Sequence, residues 1–466
     1  MGERKMKNMA VICKAYKQSP RHSCEGGNDG KRLNLLTRFC LLFLIICLAF
    51  TGCSSQEEEK SEVDKRREQR EAEWQQRLSK KGIKTEAELS YGPEMRLESG
   101  KDSSERPREM KIAVIGPETG ELSEYGTKTL EGVLLAAEKV NASGGILGKK
   151  VEVIHYDSKG ATKEASIATA KIMKERVIAI IGSPTGEITF NATQMANTYH
   201  TVFLSAGTRR RLGDSGPYIF RNTLTDDVAV KKIMEYASKE GGYRNFALVT
   251  SMSNDYSIQL SALFKNEILE RGANLVADIY LWSENTANIA EAEKSLKDQV
   301  KEIKAKGPQA IIYTGEAEEG AQLMIEAKRQ GLKVPMIGSE DLFSHSFIEL
   351  GKDAVLGSIL YTGYAPDWED ERLKGFIREY KNKNGKAPDK IAALGYDAFN
   401  IIAKAIADAG STNPAKVRDT LMNMKGFTGV TGVMSFTEER EPVKSPFLYK
   451  VTKDGGSEKF SLIGTP

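Results

Sequence analysis

The stretch Lys111–Asp157 most constrains what this chain can fold into. It opens with KIAVIG, an apolar run of strand length ending in Gly116, and Pro117 follows. Next comes PETGELSEYGT, a loop rich in glycine and small polar residues. In TKTLEGVLLAAEKVNASGG the residues Leu130, Val133, Leu134, Ala137 and Val140 recur at helical spacing until Gly144 and Gly145 stop the helix. A second run, KKVEVIHYD, closes a β-loop-α-β unit. Its first loop stands at the carboxyl end of a strand, the edge where open α/β sheets hold ligands.

The same grammar repeats downstream. Strands are expected at Ile112–Ile115, Val151–Tyr156, Val177–Ile181, Thr201–Leu204, Phe246–Thr250, Leu275–Leu281, Ala310–Tyr313, Val334–Ile337 and Leu356–Tyr361. Helical patterns fill the gaps, among them Lys163–Lys174, Val228–Ser238, Ile258–Arg271, Ile289–Lys306 and Gly320–Gln330. This is an α/β pattern of two doubly wound parallel-sheet lobes. Two helices within Trp368–Ala409 and late strands in GVTGVMSF and PFLYKV are left over. They imply a hinge that the chain crosses more than once, with a ligand cleft between the lobes. No GxGxxG follows a strand and no GxxxxGK[ST] occurs, so dinucleotide and P-loop readings lack their phosphate-binding parts.

All five cysteines (Cys13, Cys24, Cys40, Cys47 and Cys53) precede the repeated pattern. The folded part therefore holds no disulfide, thiolate metal site or cysteine nucleophile. The net charge of +3 also hides an asymmetry. Residues 1–52 carry nine Lys and Arg against three Asp and Glu, which leaves 58 basic against 61 acidic residues in the remainder. A slightly acidic body gives no electrostatic reason to expect nucleic acid.

Phe39–Phe50 is a run of twelve apolar residues behind Lys31, Arg32 and Arg38, short for a membrane span and suited to the core of a signal peptide. It leads into Thr51-Gly52-Cys53-Ser54, which resembles a bacterial lipobox, with Phe50 where leucine is commoner. That resemblance implies cleavage before Cys53 and acylation of Cys53; an uncleaved signal anchor is the alternative. Either way residues 54–466 are exported. Residues 53–108, with runs such as DKRREQREAEWQQR, read as a lipidated, charged tether. The expected organisation is a signal peptide with a long amino-terminal extension over 1–52, the tether over 53–108, lobe one over 109–226 plus 363–442, and lobe two over 227–362 plus 443–466.

From Lys111 to about Val451 the chain resembles the type I periplasmic binding proteins, in the branched-chain amino acid (leucine/isoleucine/valine) receptor family of ABC transporters. The pieces that carry the resemblance run in order: KIAVIGPETGELSEYG, NASGGILGKKVEVIHYDSKG, VIAIIGSPTGEIT, FLSAGT, YIFRNTLTDD, VTSMSNDYSIQL, AIIYTGEAEEGAQLMIEAKRQGL, MIGSEDLF, ALGYDAFNIIAKAI and GFTGVTGVMSF. It implies a cell-envelope protein, lipid-anchored outside the cytoplasm on the periplasmic side or the outer face of the cell membrane. Its partners would be a small-molecule ligand (an amino acid or similar) and an ABC permease, with no cofactor, no metal and no catalysis.

The resemblance also implies a site. In lobe one it falls on Ser183, Thr185 and Gly186 and on Ala206, Gly207 and Thr208, loops that grip an α-carboxylate through backbone N–H groups and hydroxyls; such N–H groups at a helix start form an anion site without a basic side chain. Tyr125 matches an aromatic at the cleft edge. In lobe two, Tyr256 matches the aromatic that folds over the ligand, and Glu340 matches the acid that pairs with an α-ammonium, since a buried ammonium needs a counter-charge. Two positions depart from the family. Gly186 stands where leucine-type receptors carry serine, and Glu316 stands where they tend to carry an aromatic. A second acid beside Glu340 favours a polar or cationic ligand side chain, or a ligand that is not a plain aliphatic amino acid, unless Glu316 points to solvent. The run Arg209–Arg211 either faces an anionic ligand or is a solvated face.

Other readings have less to stand on. His22, His155, His200 and His345 are scattered without zinc spacing. Ser183 in GSPTG lacks the G-x-S-x-G spacing of a nucleophile elbow. Asp157 and Asp397 read as structural caps or lobe contacts. An enzyme would need Glu316 and Glu340 as its acid–base pair, with no nucleophile or metal in support. The alternative from a different class is an envelope interaction or regulatory lipoprotein that keeps the fold and has repurposed the cleft.

Overall fold

The computed structural model describes residues 110–208, 212, 215–281 and 295–465. The signal segment, Cys53, the tether, Arg209–Arg211 and the first residues of the helix expected from Ile289 lie outside the described residues. Among the described residues no helix is long and apolar enough to cross a membrane.

The chain begins with β1 (Lys111–Gly116), α1 (Ser123–Ala142), β2 (Glu152–Asp157), α2 (Thr162–Lys174), β3 (Ala179–Gly182), α3 (Glu187–Thr198), β4 (Val202–Ser205) and β5 (Ile219–Arg221). These five strands form one parallel sheet in the order β2-β1-β3-β4-β5. Its inner strands read as unbroken apolar runs because both faces are covered. Ile112, Val114, Ile181 and Leu204 face a core shared with α1, and Ala113, Ile115, Ile180 and Phe203 face one shared with α2 and α3.

The second lobe follows with α4 (Asp226–Lys239), β6 (Asn245–Ser251), α5 (Asp255–Glu270), β7 (Asn274–Leu281), α6 (Leu296–Ala305), β8 (Ala310–Thr314), α7 (Ala317–Arg329), β9 (Met336–Gly338), α8 (His345–Gly351) and β10 (Ile359–Thr362). Strands β7-β6-β8-β9-β10 repeat the parallel order of the first sheet. Helices α4 and α5 pack on one face, α6 and α7 on the other.

The chain then returns to lobe one. Asp370 caps α9 (Glu371–Asn384), Asp389 caps α10 (Lys390–Ala409), and Asn413 followed by Pro414 starts α11 (Pro414–Met422). Apolar residues of α10 (Leu394, Ala398, Phe399, Ile402) complete the core under α1. The two helices touch at glycines: a Cβ on Gly132 would come within 2.0 Å of the Ala392 carbonyl, and one on Gly395 within 2.4 Å of the Thr129 carbonyl. Strands β11 (Phe427–Gly429), β12 (Gly432–Phe436) and β13 (Pro442–Lys444) form a small antiparallel sheet. The hairpin of β14 (Phe447–Asp454) and β15 (Ser457–Gly464) then adds two antiparallel strands to the edge of the second sheet at β10.

The chain thus passes between the lobes three times, at 222–225, 363–370 and 445–446. The boundary expected after residue 442 cuts through β13. Lys444 and Val443 still pair with Met434 and Ser435, so the third passage lies two residues further on.

Two buried charge clusters lie beside the first and third of these passages. Arg221 donates from Nε to Glu441 at 2.5 Å, and Glu441 also accepts the Leu212 N–H at 3.2 Å. Asp397 accepts the N–H groups of Val430 at 2.8 Å and Thr431 at 2.9 Å and the Thr431 hydroxyl at 2.5 Å, while Lys444 Nζ donates to the same hydroxyl at 2.5 Å. Burial pushes the Asp397 carboxyl up, against the pull of the Lys444 charge. Burial likewise pushes Lys444 down to about 8, with Asp397 opposing it.

Candidate functional site

Repeating one sheet order gives each lobe a crevice where the order reverses, between β1 and β3 in lobe one and between β6 and β8 in lobe two. The loops at the carboxyl ends of these strands are where doubly wound sheets bind ligands. The candidate residues sit on these loops, on the neighbouring loops after β4 and β9, or in the first turn of the helix that follows.

In lobe one the ladder continues one residue past each strand. The Ser183 N–H donates to Ile115 at 3.0 Å, and the Ala206 N–H donates to Gly182 at 2.8 Å. Ala206 is fully buried, and its N–H is therefore committed to the sheet rather than offered to a ligand. This corrects the N–H role expected of Ala206. Ser183 is buried and lies 3.4 Å, oxygen to oxygen, from the half-buried Thr185 hydroxyl. Gly186 is exposed at the start of α3 with φ +54° and ψ −118°. A side chain there would be strained, which accounts physically for glycine where leucine-type receptors have serine.

Thr208 is 4% exposed. Its hydroxyl receives that of Ser205 at 2.6 Å, which leaves its own proton for another acceptor. Its carbonyl accepts Arg221 Nη1 at 3.2 Å, so the Arg221–Glu441 pair also holds this loop. Tyr125, in the first turn of α1, is 41% exposed.

In lobe two, Asn254 caps α5 by accepting the Ser257 N–H at 2.9 Å, and this sets Tyr256 in the first turn. The Tyr256 hydroxyl donates to Asp226 at 2.9 Å, and the Tyr361 hydroxyl donates to the same oxygen at 3.1 Å. Tyr256, Asp226, Arg221 and Glu441 also line a groove of about 1060 Å³ beside the passages, with Phe190 of α3 on its lobe-one wall. Glu316 precedes α7, is exposed, and lies 3.5 Å from Asn254 Nδ2.

Glu340 opens a 3-10 turn directly after β9, with Ser339 as its cap. Its side chain is 11% exposed. One carboxylate oxygen accepts Lys390 Nζ at 2.7 Å and the other accepts the Gly363 N–H at 3.3 Å. Lys390 begins α10 in lobe one, so this ion pair spans the two lobes.

The structure thus pairs Ser183 with Thr185 and Ser205 with Thr208, and it gives Tyr256 and Glu340 partners within the chain. Sequence reasoning missed those partners. Asp226 and Lys390 lie 30 and 50 residues from the groups they hold, and no spacing rule connects them. Asp157 and Asp397 both act as caps: Asp157 accepts the N–H groups of Glu118 at 2.8 Å and Lys159 at 2.7 Å. Among the described residues no three metal-type side chains gather into a cluster.

A family model described as periplasmic binding protein matches residues 109–456. The leucine-, isoleucine-, valine-, threonine- and alanine-binding protein of Pseudomonas aeruginosa is 24% identical over 348 residues, covering 74% of this chain and 90% of that protein. A leucine binding protein from Thermotoga maritima has a structure that superposes with a TM-score of 0.58 at 28% identity, over 76% of this chain and 98% of that one. The branched-chain amino acid transporter substrate binding protein of Streptococcus pneumoniae, solved with isoleucine, gives 0.57 at 27% identity, over 76% and 99%.

Proposed function

The chain belongs to the type I periplasmic binding proteins, in the branched-chain amino acid receptor family, and on that premise we propose that it captures an amino acid or related small molecule between its lobes and delivers it to an ABC importer. The observation that carries this reading is the repeated sheet order, which gives two ligand-type crevices on lobes joined by three passages. Thr185, Gly186 and Thr208 would hold the ligand from lobe one, with Ala206 behind them and Tyr125 at the rim. Tyr256, Glu340 and Glu316 would close on it from lobe two. Its relatives are receptors, and the reading needs no catalytic step. Acylated Cys53 would hold the protein outside the cytoplasm, on the periplasmic side or the outer face of the cell membrane.

The test is a thermal-shift screen of the purified protein against amino acids, short amides, polyamines and aliphatic and aromatic carboxylic acids. A ligand specific for the folded state adds about 2.7 kcal/mol at a hundred times its Kd, a shift of several degrees. A folded protein that no compound shifts would contradict the receptor reading and favour an envelope interaction lipoprotein. Membrane sedimentation in a bacterial host, lost on Cys53→Ala, checks the anchor; an unchanged distribution would refute it.

A further inference from the structure

Glu340 stands where a receptor of this family would meet an α-ammonium, yet both of its oxygens are taken from within the chain. Lys390 Nζ, 2.7 Å away, is itself an alkylammonium and makes the contact that a ligand's amine would make. The sequence aims it there. Asp389, the cap of α10, is committed to the Ala392 N–H at 3.0 Å and to Lys128 Nζ at 2.7 Å, and Lys390 reaches Glu340 instead.

The occupancy of Glu340 points the same way. Glu340 is paired with Lys390, and Lys444, which faces Asp397, senses both members of that pair. A zwitterionic ligand would have to bring its ammonium to a carboxylate that Lys390 and the Gly363 N–H already satisfy, or displace Lys390 from it. A carboxylate without an amine makes no such demand. Lobe one offers it neutral donors, the Thr185 and Thr208 hydroxyls at the start of α3 and after β4, the latter already receiving from Ser205.

We propose that this receptor takes a carboxylic acid lacking an α-ammonium, an aliphatic or aromatic carboxylate, and that Lys390 fills the ammonium position as its specificity-determining residue. The proposal rests on the receptor reading above and narrows its ligand class.

Titration calorimetry on matched pairs tests it: isocaproate against leucine, and hydrocinnamate against phenylalanine, with the parent protein and with Lys390→Met. The parent is expected to bind at least one acid about tenfold or more tighter than its amino acid. Lys390→Met, which uncovers Glu340, is expected to shift that ratio about tenfold or more toward the amino acid, with its melting curve confirming a folded protein. Lys390→Arg keeps the charge at Glu340 and is expected to keep the preference for the acid. A parent that prefers the amino acid overturns the proposal and leaves the receptor reading standing. Equal losses for acid and amino acid in Lys390→Met also overturn it, because Lys390 would then only join the lobes. A folded parent that binds neither series overturns the proposal, and the wider thermal screen then decides the receptor reading separately.

Discussion

At the carboxyl ends of its strands lobe one carries Ser183, Thr185, Ala206 and Thr208, none of them charged. At the same edge lobe two carries Tyr256, Glu316 and Glu340. The sheets behind them have the same strand order, so the difference lies in the loops. Lobe one spends backbone groups on continuing its ladder and leaves hydroxyls as its chemistry. Lobe two presents an acid and a phenol that are already answered, Glu340 by Lys390 and Tyr256 by Asp226. One scaffold thus supplies a wall of neutral hydroxyls and a wall whose Glu340 is paired before any ligand arrives. Together they leave no open acid at Glu340 for a ligand's ammonium.

The largest expected effect comes from unseating the neutral wall. Arg221→Ala strands the buried Glu441 carboxylate and removes the donor to the Thr208 carbonyl. Removing one partner of a buried pair costs about 3–5 kcal/mol, read as a lower midpoint in urea. A loss under about 1 kcal/mol would mean that the pair does not fix the loop.

A smaller effect probes the second buried charge cluster of lobe one. Lys444 is held down to about 8 when folded against 10.5 ordinarily. Below pH 8 it is protonated in both the folded and unfolded chains, and burial of its charge is a constant cost. Between about 8 and 10.5 the unfolded chain binds the extra proton, so stability rises with pH. Relative to Lys444→Met, which cannot titrate, the parent should gain about 2 kcal/mol between pH 7.5 and 9.5. Parallel curves for the two proteins would show that Lys444 keeps an ordinary affinity for its proton.

Much of the fold was legible because its signals are local. The nine expected strands all appear, usually within a residue or two. The strand expected from Leu356 begins only at Ile359, because Leu356 and Gly357 sit at the centre of a turn that the Ser358 N–H closes onto Val355. Strand β15 went unread, although Asp454-Gly455-Gly456-Ser457 is a hairpin turn signal, because SEKFSLIG is a half-buried edge with weak alternation. Candidate residues could be placed on loops from sequence, but their commitments could not. That the Ala206 N–H belongs to Gly182, or that Lys390 reaches Glu340, depends on where separate segments meet in space.

The central claim is that one ligand is held by both walls at once. Hydrogen exchange with and without the strongest ligand from the thermal screen tests it most directly. The account predicts slowed exchange together at 183–186 and 206–208 in lobe one and at 252–256 and 339–343 in lobe two. Protection confined to one lobe, or centred instead on the groove lined by Phe190 and Gln259, would contradict it.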